Sequence, residues 1–97
     1  MKLNAEQTDI IKNYFTTKPV LKAYLFGSYL RDEADADSDI DILVELDYSQ
    51  RIGLEYFQMK MDLEKLLNNT VDLVSEKGLS MHIKPIIDKE KQLIYAR

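Results

Sequence analysis

Cysteine and tryptophan are absent from this 97-residue chain, and histidine occurs once. Without cysteine there is no disulfide and no thiolate metal site, and one histidine cannot build a His-rich zinc centre. A bound metal would have to be held by oxygens, which favours magnesium or manganese. The lone histidine, His82, has no evident nucleophile to complete a Ser-His-Asp set, and its place beside a helix cap among apolar neighbours marks it as structural. Also missing is any run near the roughly 20 apolar residues of a membrane helix, and Met1 to Glu6 form no apolar leader. A cytoplasmic location without membrane association is expected. A basic patch is lacking too, so autonomous nucleic-acid binding, which depends on neutralising phosphates, is not expected.

What is present is a balanced globular composition, 45% hydrophobic and 31% charged. The length predicts a single domain over residues 1–97, with room for one core but not for a second domain that grips a macromolecule. The net charge of −4 is local in origin: residues 32–41 contain six acids (Asp32, Glu33, Asp35, Asp37, Asp39, Asp41) and no base. The remaining eleven acids face thirteen bases.

Asn4 with Gln7 predicts a capped helix over 5–16, with Ile10, Ile11, Tyr14 and Phe15 on one face, ended by Lys18-Pro19. Residues 20–26 read as a strand. After a glycine-serine turn, a short helix and the acidic loop comes a second strand over 39–46. Ile52, Tyr56, Met59, Leu63, Leu66 and Leu67 recur at helical spacing and predict a helix over 51–67 stopped by Asn68-Asn69. A strand over 71–75 follows, then a helix capped by Ser80 with Pro85 in its first turn, then a short strand over 92–95. The order αβαβαβαβ predicts an α/β (α+β) fold, a small mixed sheet packed with helices.

The chemistry is concentrated between the first two strands. Gly27-Ser28 can turn sharply and bring backbone N–H groups to an anion, with Ser28 capping the helix that Tyr29 begins and Arg31 one turn on. Arg31 has two readings, a phosphate contact or a pair with the acidic loop. Ten residues later Asp39 and Asp41 enter an apolar strand. Residues i and i+2 of a strand share a face about 6.5 to 7 Å apart, so both carboxylates can converge on cations while Ile40, Ile42, Val44 and Leu46 face a core. Asp32 to Asp37 read as a solvated loop. A calcium loop of EF-hand type starting at Asp35 fails, because its sixth position is Ile40 and its twelfth Leu46.

Gly27-Ser28, the spacer and Asp39-Ile40-Asp41 resemble the hallmark of the DNA polymerase beta-type nucleotidyltransferase superfamily, and the short chain looks most like the minimal nucleotidyltransferases often paired with HEPN-domain toxins. The resemblance implies a third carboxylate at Asp72, within Val71-Asp72-Leu73-Val74. It implies Asp39, Asp41 and Asp72 as catalytic metal ligands for magnesium, two ions or manganese in their place, with Gly27, Ser28 and Arg31 on the nucleotide. The implied activity is transfer of AMP from ATP to a hydroxyl of a HEPN toxin, on a tyrosine, by its antitoxin. Two alternatives stand beside it: an antitoxin that neutralises by binding alone, and a catalytic subunit that modifies a small molecule once a helical partner completes the pocket.

Overall fold

The structure, a computed structural model, describes residues 1–97. Helices and strands alternate as α1 (Ala5–Phe15), β1 (Val20–Phe26), α2 (Ser28–Arg31), β2 (Ile40–Leu46), α3 (Glu55–Leu67), β3 (Val71–Ser75), α4 (Lys84–Glu90) and β4 (Gln92–Ala96). The expected capping box is formed in both directions: the Gln7 amide donates to Asn4 Oδ1 at 2.7 Å and the Asn4 amide to Gln7 Oε1 at 3.0 Å.

The four strands make one mixed sheet in the order β3-β2-β1-β4. β2 and β4 flank β1 antiparallel, while β3 runs parallel to β2 after the α3 crossover. One sheet face carries the main core, in which Ile11 and Phe15 of α1 and Met59 and Leu63 of α3 meet Val20, Ala23, Ile40, Ile42, Val44 and Val71. Ile40, Ile42 and Val44 are fully buried, as the alternation of β2 requires. Leu43 is equally buried but points to the other face, outside the main core. There the end of α4 covers the sheet, with Lys91 Nζ 4.4 Å from the centre of the Tyr24 ring.

Three local expectations need correction. The long helix starts at Glu55 instead of residue 51, because Gly53 takes φ 45° and turns the chain, leaving Ile52 to pack on the core from that turn. Leu66, despite its helical spacing, is 51% exposed, since the buried stripe of α3 is Met59, Leu63 and Leu67. β2 begins at Ile40, which puts Asp39 just ahead of the strand. Pro85 does lie in the first turn of α4, where its missing N–H costs nothing, and Asn68 ends α3 in a left-handed conformation.

Candidate active site

Register across the sheet assembles the acidic group. Asp41 lies between Phe26 of β1 and Asp72 of β3 in a single cross-strand row, so Asp41 and Asp72 project from the same face on adjacent strands about 4.8 Å apart. Asp39 is exposed one residue before the strand, Asp41 is half-buried and Asp72 is exposed. The Asp41 carboxyl is pushed up to about 6 by burial first, then by the charges of Asp72 and Asp39, with Glu90 adding to the rise and Arg31 opposing it. Three like charges thus gather at one end of the sheet.

Gly27 closes the row from the β1 side. Its φ of 78° is a conformation that L side chains rarely adopt, and a Cβ built there would lie 2.0 Å from Asp41 Oδ2. The Asp41 carboxylate therefore rests against the Gly27 backbone, in space that only glycine leaves free. Here the cap expectation is corrected: Gly27, not Ser28, is the N-cap of α2, no side chain caps that turn, and Ser28 is the first helical residue. The Gly27 carbonyl accepts from the Leu30 and Arg31 amides, both at 3.1 Å.

Arg31 takes acidic partners. Its Nε donates to Glu33 Oε1 at 2.5 Å, as the reading of a pair with the acidic loop expects, and its Nη1 donates to both oxygens of Glu90 at 2.7 and 2.9 Å. Glu90 also accepts the Gly27 amide at 2.6 Å. No sequence signal singled out Glu90, which ends α4 and lies 63 residues from Gly27. The acidic loop is solvent-exposed at Asp32, Glu33, Asp35 and Asp37, and His82 sits exposed in the turn before α4.

The chemistry of the donor set suits a hard divalent cation: three carboxylates, no nitrogen or sulfur ligand, and a half-buried acid under like-charge pressure that a cation would relieve. As they stand, no three acidic side chains converge closely enough to hold one ion by themselves.

The chain matches the family described as polymerase beta, nucleotidyltransferase, over residues 9–97. It belongs to that family. Protein adenylyltransferase MntA of Thermococcus cleftensis is 39% identical over 66 residues, spanning 68% of this chain and 66% of the relative. A solved structure of a candidate minimal nucleotidyltransferase, 30% identical, superposes with a TM-score of 0.81 over 95% of each chain, and so shares the mixed sheet and its helices. A toxin-antitoxin crystal structure with AMP-PNP is similar in fold, with a TM-score of 0.75 at 22% identity over 97% of this chain and 75% of that one. In this nucleotidyltransferase the residues that resemble the family hallmark, Gly27, Asp41 and Asp72, lie together at one end of the sheet, with Asp39 beside them. No helix of the chain is long and apolar enough to cross a membrane.

Proposed function

We propose that this nucleotidyltransferase is a protein adenylyltransferase acting as a cytoplasmic antitoxin, moving AMP from ATP to a tyrosine hydroxyl of a HEPN-type toxin. The observation that carries the reading is the cross-strand pairing of Asp41 with Asp72 beside the glycine that Asp41 leans on. A relative named protein adenylyltransferase MntA and a toxin-antitoxin complex of like fold with AMP-PNP support the substrate and partner classes.

Asp39, Asp41 and Asp72 would hold the divalent cation, magnesium or manganese. Such a cation, when bound, neutralises the phosphates and orients the nucleotide. In the reaction the acceptor oxygen bonds to the α-phosphorus, the bond from that phosphorus to the bridging oxygen of pyrophosphate breaks, and the hydroxyl proton passes to an Asp72 carboxylate oxygen. Asp72, the exposed member of the row, is the one an incoming protein hydroxyl can reach. Gly27 and Ser28 hold the outer phosphates, and Arg31 adds a positive charge beside them.

The test mixes the protein with a purified HEPN-type toxin, ATP and magnesium, and reads intact mass. Covalent AMP on the toxin, lost with Asp72→Asn, is the expected result. A tight complex that never gains mass would favour neutralisation by binding alone, and label appearing on RNA instead would overturn the acceptor class.

A further inference from the structure

Among the side chains at the acidic end of the sheet, Glu90 is the one that the family reading leaves without a role. It is an acid placed among acids, and its charge is one of those that raise Asp41. What holds it there is a pair of anion donors: Oε1 accepts both the Gly27 amide at 2.6 Å and Arg31 Nη1 at 2.7 Å, while Oε2 accepts the same Nη1 at 2.9 Å. Charge-assisted bonds of this kind are the stronger sort, and the Glu90 side chain is only 24% exposed. These donors are chemically those that a phosphate oxygen would seek, and the carboxylate has them first.

We propose that Glu90 is an internal competitor of the nucleotide, filling an anion subsite made by the Gly27 amide and the Arg31 guanidinium, so that a triphosphate binds only when Glu90 leaves. The proposal rests on the reading of Gly27 and Arg31 as nucleotide-binding. Displacement needs little of the fold. Glu90 is the last residue of α4, the next residue already has extended ψ (143°), and Arg31 keeps Glu33 as a second partner when Glu90 swings away. Glu90 is thus a specificity-determining residue: a ligand with several phosphate oxygens can outbid one carboxylate for two donors, whereas a ligand without phosphates gains nothing by displacing it.

The apparent dissociation constant equals the intrinsic one divided by the fraction of molecules with the subsite open, so a site open in about one molecule in ten weakens binding about tenfold. Titration calorimetry with magnesium-ATP, and separately with adenosine, on wild type, Glu90→Gln, Glu90→Ala and Glu33→Gln tests this. Glu90→Gln preserves shape and is expected to bind ATP about tenfold more tightly, with Glu90→Ala gaining at least as much and neither gaining affinity for adenosine. Glu33→Gln removes the same charge from the other side of Arg31 without touching Gly27, and is expected to change affinity less than about twofold, as a screened surface pair does. Equal gains from Glu33→Gln and Glu90→Gln would reduce the effect to net charge and overturn the proposal. Weaker ATP binding by both Glu90 variants would overturn it too, making Glu90 a support that positions the glycine turn. If wild type binds ATP but Glu90→Gln does not differ from it, the competitor role alone falls. If no variant and no wild type binds ATP, the nucleotide reading falls and takes this proposal with it.

Discussion

Asp41 and Glu45 are acids on the same face of the same strand, four residues apart, and the fold treats them oppositely. Glu45 accepts the Tyr24 hydroxyl at 2.8 Å, an interaction that with burial pushes the Tyr24 phenol up to about 12, burial being the larger cause. Asp41 meets Asp72 across the sheet and Asp39 along the chain, and its carboxyl is pushed up to about 6. Between them Leu43 is fully buried. The difference shows how a sheet assigns roles by neighbour more than by residue type: one carboxylate is given a donor and becomes structure, while the other is given like charges and stays available to a cation.

The largest effect that would sharpen this contrast is on turnover. Asp72→Asn should lower the rate of AMP transfer by about 10² to 10⁴-fold, the usual worth of a positioned base, with nucleotide affinity largely kept. Glu45→Gln retains an acceptor for Tyr24 and should change the rate little. Rates measured under single-turnover conditions separate the two, and comparable losses would dissolve the division of roles.

On the core face of the same strand, Ile42 is fully buried. Ile42→Ala should cost about 2 to 5 kcal/mol of stability through lost burial and the cavity left behind. Denaturant melts give the figure, and a loss below about 1 kcal/mol would mean that the core collapses around the gap.

A smaller effect, of opposite sign, is expected at Asp41. A folded carboxyl at about 6 against an ordinary 3.8 binds its proton more tightly folded than unfolded, so its contribution to stability is full below about pH 4 and is lost as pH rises through about 6. Asp41→Asn removes that loss. With divalent cations chelated, the variant should match wild type near pH 4 and exceed it by about 1 to 2 kcal/mol at pH 8, a figure discounted for the half-exposed setting of the group. Thermal melts across the range check it, and curves that stay parallel would mean that neither burial nor the neighbouring charges hold the Asp41 proton.

The smallest expected change is at Tyr24. Tyr24→Phe removes the donor of Glu45 and should cost about 0.5 to 1.5 kcal/mol, the net worth of one such bond. A neutral result would put Glu45 on a par with any solvated acid and weaken the contrast with Asp41.

Much of this was readable along the chain because its signals are local. The Asn4–Gln7 box, the alternation of β2 and the stripe Met59, Leu63, Leu67 are patterns within a few residues, and each recurs as structure. The errors are local too, but of a kind that pattern does not resolve. Helical spacing extends through Ile52, yet the backbone at Gly53 turns away, and Leu66 keeps the spacing while facing out. Ser28 has a capping side chain, but Gly27, with its unusual dihedrals, takes the cap position.

By itself the sequence determined which residues could bear charge into an apolar strand, that Asp39 and Asp41 are paired in spacing, and that a glycine turns the chain at the end of the preceding strand, since these follow from the two-residue period and from the sterics of a missing Cβ. Only the tertiary structure decided which acids meet. Asp72 joins Asp41 because β3 pairs with β2 in parallel after the α3 crossover, and Glu90 reaches Gly27 across 63 residues because α4 lays its end over the open face. Periodicity is a property of neighbours along the chain. Register and docking are set by burying one continuous apolar face, and no window of sequence contains that constraint.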